Sequence, residues 1–209
     1  PKVMATENGE YKRIFGWETN GHGEEYLAFL AQFLPELIAE LKKLGIFNKS
    51  YFHVSDEPAS DMKDNYSICS KFLRKYISSD RIFDALSDIS FYHEGLISCP
   101  VVGLDHIHTF IEAKVPTLWG YYCCGHDRTS NRFLALPAGQ NRMLGLQLYK
   151  FNIKGFLQWG FNFYNSHLSL EQIDPYASST AGGWVPGGDP YVVYPGADGN
   201  AVISIRLEV

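Results

Sequence analysis

Between Glu24 and Leu44 the apolar positions Tyr26, Leu27, Leu30, Phe33, Leu34, Leu37, Ile38 and Leu41 recur at intervals of three and four. That period lines one face of an amphipathic helix, and Gly45 follows where a helix commonly ends. Pro35 within it has no amide to bond back to Ala31, which predicts a kink or a break near Ala31. The next segment, Ser50-Tyr-Phe-His-Val-Ser55, is a short aromatic and β-branched run that stops at Asp56-Glu57-Pro58. It reads as a strand whose C-terminal end carries two carboxylates.

The two textures then alternate. The pattern predicts a helix over 66–77, strands near 81–85 and 101–104, a helix from about His106 to Ala113, a strand over 117–122, a helix over 139–152 and a strand over 155–161. The crossovers are long enough for parallel pairing. If Tyr11 to Gly16 is also a strand, the set has six members, and their short apolar character suits a sheet covered by helices on both faces. Two α/β architectures fit: an open doubly wound sheet, and a (β/α)8 barrel of the TIM type. No GxGxxG or GxxxxGK[ST] phosphate fingerprint occurs, which favours the barrel. A full barrel takes about 250 residues, so this chain reads as a partial one holding about strands 3 to 8. Residues 1–209 are then a single catalytic-type domain truncated at both ends, consistent with a start at Pro1 and a stop on Arg206-Leu-Glu-Val.

Past Phe161 the periodicity stops. Residues 162–200 include Ala181-Gly-Gly-Trp-Val-Pro-Gly-Gly-Asp-Pro190 and Tyr194-Pro-Gly196. So long a Gly/Pro-rich stretch after the last strand is expected to be a functional loop over the face where barrel active sites are built. Ala201 to Leu207 alternates apolar and polar positions and reads as one further strand or the start of the next element.

Composition narrows the function classes. The chain is 45% hydrophobic and 20% charged, a composition that argues against disorder, collagen and a membrane bundle. No run reaches the roughly 18 apolar residues of a membrane span, and the opening residues lack a signal-peptide pattern. A net charge of −5, with no basic run longer than Lys42-Lys43, argues against nucleic acid. Aromatic residues make up 15% of the chain, enough to line a ring-binding cleft as well as to fill a core. The cysteines at 69, 99, 123 and 124 have no CxxC spacing and read as buried thiols. His106 and His108 face apart on a helix, and Cys123, Cys124 and His126 lack a fourth ligand, so no metal and no cofactor is expected.

The most chemically suggestive feature is Asp56-Glu57. Neighbouring side chains on an extended backbone diverge, so the two carboxyls can approach one ligand from different directions. The alternative is that Asp56-Glu57-Pro58 only opens a turn and caps the next helix. Ordinary retaining glycosidases need a nucleophilic carboxylate about 5 to 5.5 Å from the acid. Between Ala113 and Leu170, however, there is no Glu, and the sole Asp is Asp127. A glycosidase could instead take its nucleophile from the substrate, as when a 2-acetamido carbonyl attacks the anomeric carbon. Two neighbouring carboxyls then suffice, one orienting the acetamido N–H and the other serving as general acid and base. Trp159 either fills the core, as an aromatic in a barrel strand more often does, or offers a face for a sugar, with Asn162 or Tyr164 beside it to read hydroxyls. Trp184, among glycines on a surface loop, is a candidate contact with the far side of a substrate.

Phe-His-Val-Ser-Asp-Glu-Pro (52–58), Leu-Trp-Gly-Tyr-Tyr-Cys (118–123), Gly-Phe-Leu-Gln-Trp (155–159), Gly-Gly-Asp-Pro-Tyr-Val-Val-Tyr-Pro-Gly (187–196) and Ser-Ile-Arg-Leu-Glu (204–208) occur in that order. In these motifs the chain resembles glycoside hydrolase family 123 over nearly its whole length. The resemblance implies a (β/α)8 catalytic domain, and the family's characterised members are retaining β-N-acetylgalactosaminidases. It implies that Asp56 polarises the acetamido group and that Glu57 is the general acid and base. It further implies that Trp119, Tyr121 and Trp159 shape the sugar subsite and that Asp189 is the acidic position of the glycine-rich loop. A glycan bearing a 2-acetamido sugar is the implied substrate, a secreted or periplasmic bacterial setting is implied, and an N-terminal β-sandwich is expected in the parent chain. Two other readings remain open: a carbohydrate-binding or scaffold barrel without activity, and a glycosidase whose nucleophile lies in an N-terminal part outside this chain.

Overall fold

A computed structural model of the chain describes residues 3–208. Pro1, Lys2 and Val209, on which the reading of the chain ends partly rests, lie outside the described residues. In chain order the elements are β1 (Val3–Glu7), β2 (Glu10–Phe15), α1 (Glu24–Lys43), α2 (Lys63–Leu73), β3 (Phe83–Ala85), α3 (Ser90–His93), β4 (Cys99–Gly103), α4 (Ile107–Glu112), β5 (Trp119–Tyr121), α5 (Ala138–Lys150), β6 (Gly155–Leu157), β7 (Val193–Pro195), β8 (Ala201–Ile203) and α6 (Ile205–Glu208). They form two compact units. The first is the chain up to Asp84 together with Ser90–Cys99, and the second is Ala85–Ile89 with the chain from Pro100 onward.

In the first unit β1 and β2 pair antiparallel, Glu7 opposite Glu10, around Asn8 at φ 54° and Gly9 at φ 83°. Two successive left-handed residues make the tight hairpin turn that Asn-Gly favours. The strand expected at Tyr11 to Gly16 is therefore an arm of a hairpin and not a member of the parallel set. Helix α1 carries Glu24 and Glu25 in its first turn and Lys42 and Lys43 in its last, opposing the helix dipole at both ends. It runs unbroken through Pro35. Leu34 and Ile38, on either side of the proline, are buried with Leu73, Ile77 and Ile82, and this packing holds the helix across the missing hydrogen bond.

The strand expected at 50–55 is reduced to one parallel bridge, Phe52 to Ile82, with the Phe52 amide donating to Arg81 O at 2.8 Å. The reason lies two residues on. The amides of Val54 and Ser55 leave the ladder direction and donate to the Asp84 carboxylate. Short α3, only four residues, carries too little period to be seen in sequence.

The chain passes into the second unit within β3, whose last residue, Ala85, belongs to it. The strands lie in the order β3-β4-β5-β6. The pairings are parallel, with Val102 opposite Gly120 and Gly120 opposite Phe156, and Leu86 N donates to Val101 O at 2.9 Å. Helix α5 contributes Leu144 to a core with Tyr122 and Phe133. This is an α/β fold with a four-stranded parallel sheet, compatible with part of a barrel.

The stretch 162–200 has more order than its sequence suggests. Isolated antiparallel bridges join Asn162 to Tyr191 and Asn165 to Gln172, and β7 pairs antiparallel with β8. Pairings of one to three residues leave no periodic trace. Gly160 makes one of them possible: a β-carbon there would stand 2.3 Å from Asp189 O. Of the four thiols read as buried, only Cys99 is; Cys124 is exposed because it sits on a tight turn at φ 30°. Among the described residues no helix is long and apolar enough to cross a membrane.

Candidate active site

In the first unit the carboxylate pair stands on a corner built around Asp84, which is fully buried. Its Oδ1 accepts hydrogen bonds from Val54 N at 2.8 Å and Ser55 N at 3.2 Å, and faces His53 Nδ1 at 2.6 Å. Its Oδ2 accepts from the Tyr66 hydroxyl, supplied by α2, at 2.6 Å. Burial, then the adjacent carboxylate, pushes the Tyr66 hydroxyl pKa up, so it remains a donor. With 53–55 tied down, the chain turns sharply: Glu57 has φ 42°, a left-handed conformation that a residue with a long side chain rarely adopts. Such backbone strain persists only where the surrounding structure holds it.

Asp56 and Glu57 both open to solvent. The protein nevertheless partly desolvates Asp56, which raises its pKa above the usual aspartate value; the neighbouring Glu57 adds to the rise, His53 opposes it and Asp84 contributes further. His53 is itself raised, chiefly by its hydrogen bond to Asp84, with burial opposing. A cavity of about 660 Å³ lies beside the corner, its wall including Trp17, Asn20, His22, Ser55, Pro58 and Tyr66.

Removing the hub has a clear expected consequence. Asp84→Ala leaves two amides, an imidazole and a buried hydroxyl without their common acceptor, and should destabilise the protein by about 3 to 5 kcal/mol. A lower urea midpoint checks this; an unchanged midpoint would show that the hub does not hold the corner.

In the second unit the late-strand residues gather around Asp189, also fully buried. Trp159 Nε1 donates to its Oδ1 at 3.0 Å and Cys124 N to its Oδ2 at 2.8 Å. Burial raises the Asp189 pKa, and these hydrogen bonds oppose the rise. Trp184 lies 5.8 Å from the Trp159 ring centroid, and Phe163 packs against both, 5.7 Å from Trp159 and 6.0 Å from Trp184. His167 adds a ring 5.2 Å from Trp184, which keeps 39% of its surface exposed. The loop holding Asp189 is clamped from below by Arg206, whose guanidinium donates to Gly188 O at 2.6 Å and Tyr191 O at 3.1 Å.

The structure thus brings Trp159, Trp184 and Asp189 together, with Asn162 exposed on the adjoining bridge. The Tyr164 hydroxyl donates to Val193 O at 2.8 Å, so it braces the loop. Tyr121 is buried, edge-on to His126 at 5.5 Å. Trp119 opens β5 and packs flat on Gly155, where a β-carbon would meet its ring at 2.3 Å. Trp119 and Gly155 stand at the N-terminal ends of β5 and β6, the ends away from Cys124 and Trp159, whereas Tyr121 closes β5.

Sequence reasoning missed His53, Tyr66 and Asp84, and it did not weigh Asp105. The signal for Asp84 was a carboxylate inside the apolar run Ile82-Phe-Asp-Ala-Leu86, since a buried charge requires several donors. Asp105 follows β4, with its Oδ1 2.8 Å from His106 Nδ1 and 3.4 Å from His126 Nε2. Among the described residues no group of three or more His, Cys, Asp or Glu is placed to hold a metal ion.

The fold is similar to that of a family 123 glycoside hydrolase from Clostridium perfringens, whose structure was analysed for glycolipid glycan hydrolysis, with a TM-score of 0.68 at 21% identity. The likeness covers 99% of this chain and 36% of that one, so the chain spans about a third of the length of its structural neighbour. No curated protein matches the chain. The sequence profile of the glycoside hydrolase 123 catalytic domain matches residues 1–209, and the chain belongs to that family.

Proposed function

We propose that this chain is the catalytic part of a glycosidase that removes terminal β-linked N-acetylgalactosamine, or a related N-acetylhexosamine, from glycans with retention of configuration. The observation that carries the reading is the strained Asp56-Glu57 corner, two adjacent carboxyls presented to solvent by a buried scaffold. An acidic corner with a left-handed glutamate has little use in a purely binding module.

The chemistry follows from the substrate's own 2-acetamido group. Its carbonyl oxygen attacks the anomeric carbon as the bond to the leaving oxygen breaks, and Glu57 gives that oxygen its proton. Asp56 accepts the acetamido N–H and balances the positive charge of the resulting oxazolinium ring. Glu57, now a carboxylate, takes a proton from water as the water adds to the anomeric carbon, which reopens the ring and restores the acetamido group. Asp189 is engaged at both oxygens and is read as the support of Trp159.

Hydrolysis of an aryl 2-acetamido-2-deoxy-β-galactoside, compared with its gluco epimer and the plain β-galactoside, tests this. Cleavage of the acetamido sugars alone, with the galacto form preferred, supports the proposal. Equal cleavage of the plain galactoside contradicts it. Trp184→Ala should raise KM roughly fivefold, about 1 kcal/mol of lost ring contact, with kcat nearly unchanged. An unchanged KM would remove Trp184 from the substrate site.

A further inference from the structure

Trp17 keeps 81% of its surface exposed. The packing of the N-terminal hairpin on α1 does not use it, because Phe15, Tyr26 and Phe29 make those ring contacts. Its backbone is nevertheless fixed. Thr19 N donates to Gly16 O at 3.0 Å and Gly16 N to the Thr19 hydroxyl at 2.9 Å, so the turn that carries Trp17 is tied at both ends. An indole held in place and left uncovered is a plate ready for a ligand.

The same loop presents His22. Asn20 Oδ1 accepts the His22 amide at 3.2 Å, which orients the Asn20 side chain so that its Nδ2 donates to His22 Nε2 at 3.1 Å. That assignment leaves the proton of the neutral ring on Nδ1, a donor for an incoming hydroxyl. Trp17 and His22 stand in the wall of the cavity of about 660 Å³ beside the carboxylate corner, together with Asn65 and Tyr66 of α2. All of these residues belong to the first unit. The cavity has the size of a small-ligand site, and an aromatic plate with a few polar groups suits a sugar ring. Among the described residues, Ser55 and Pro58, on either side of the acidic pair, line it, while Asp56 and Glu57 do not. What lodges there therefore lies next to the reacting sugar and not at its anomeric carbon.

We propose that this cavity is the subsite for the sugar from which the terminal N-acetylhexosamine is cleaved, with the apolar face of that sugar against Trp17 and its hydroxyls read by His22 and Asn65. The inference rests on the proposed reaction. A terminal sugar has one neighbour, attached through the oxygen that Glu57 protonates, and Pro58 follows Glu57 directly into the cavity wall.

Two glycosides with alkoxide leaving groups separate this subsite from the chemistry: the methyl β-glycoside of N-acetylgalactosamine, and the disaccharide in which galactose replaces the methyl group. The native chain should prefer the disaccharide in kcat/KM. Trp17→Ala should reduce that preference roughly three- to tenfold, the scale of one lost ring contact, while the turn keeps its Gly16 and Thr19 hydrogen bonds. An unchanged ratio overturns the proposal.

A second measurement needs no turnover. The same disaccharide with sulfur in place of the glycosidic oxygen resists cleavage, and the Trp17 indole N–H signal, identified by its loss in Trp17→Phe, should shift in NMR spectra as that compound is added. N-acetylgalactosamine alone, which lacks the second sugar, should leave the signal in place. No shift with the disaccharide, or an equal shift with the single sugar, overturns the proposal. If the chain cleaves no acetamido glycoside while the thio-linked disaccharide alone moves the signal, the proposed reaction fails and the cavity remains a sugar site. Cleavage with an unmoved signal and an unchanged ratio has the opposite meaning: the reaction stands and this subsite falls.

Discussion

Glu57→Gln should lower kcat/KM for glycosides with poor leaving groups by roughly 10² to 10⁴, the usual scale of general acid catalysis. The amide keeps the size of the side chain and the left-handed backbone of the corner, so the loss reports the proton and not the fold. An alkyl or sugar aglycone departs as an alkoxide unless protonated, whereas a dinitrophenolate leaves unaided. The defect in kcat/KM should therefore shrink sharply for dinitrophenyl substrates, while kcat still falls because Glu57 acts as base in the hydrolysis of the oxazolinium intermediate. A loss independent of leaving group would indicate a structural defect. Wild-type activity on natural aglycones would remove Glu57 from the mechanism.

Asp56→Asn should cost about 10² to 10³ in kcat on acetamido sugars, the scale of losing one preorganised electrostatic partner. Asparagine can still accept an N–H, but it brings no negative charge to the oxazolinium ring. A thiazoline analogue of that ring should bind the native protein at least about 10²-fold tighter than the product sugar, and most of that gap should vanish in the variant. Because Asp56 is pushed above the ordinary aspartate range by desolvation and by Glu57, native activity should fail on the acid side at a higher pH than an unperturbed aspartate would impose. The sign is fixed: the working form is the carboxylate, so activity is present above its raised pKa and is lost as pH falls through it. Equal affinity of native and variant proteins for the thiazoline would contradict the role given to Asp56.

The candidate carboxylates were more legible in the sequence than the scaffold that carries them. Regular α and β texture showed α1, α2, α5 and the parallel strands, because a face of Leu and Ile at threes and fours or a short buried apolar run leaves a periodic mark. The corner itself was visible because two adjacent acids before a proline are rare at a strand end. What held them was not visible. Asp84 looked like one residue of a strand, since nothing in a linear pattern shows that amides thirty positions earlier turn toward it. The same turning shortened the 50–55 strand to a bridge. In 162–200 the order comes from single bridges, a buried Arg206 and a backbone approach at Gly160, none of which repeats with a period. The hairpin had a usable signal in Asn8-Gly9, but a strand pattern over Tyr11–Gly16 does not by itself show whether its partner runs parallel or antiparallel.

The central claim is that the nucleophile belongs to the substrate, and it can be tested by weakening that nucleophile alone. Fluorine substituted stepwise into the acetamido methyl group withdraws electrons from the carbonyl oxygen while changing size little. With a single aryl leaving group, kcat/KM should fall steeply from the acetamido to the trifluoroacetamido β-galactoside. Rates that stay flat across the series would mean that a protein carboxylate attacks the anomeric carbon, and would contradict the account built on Asp56 and Glu57.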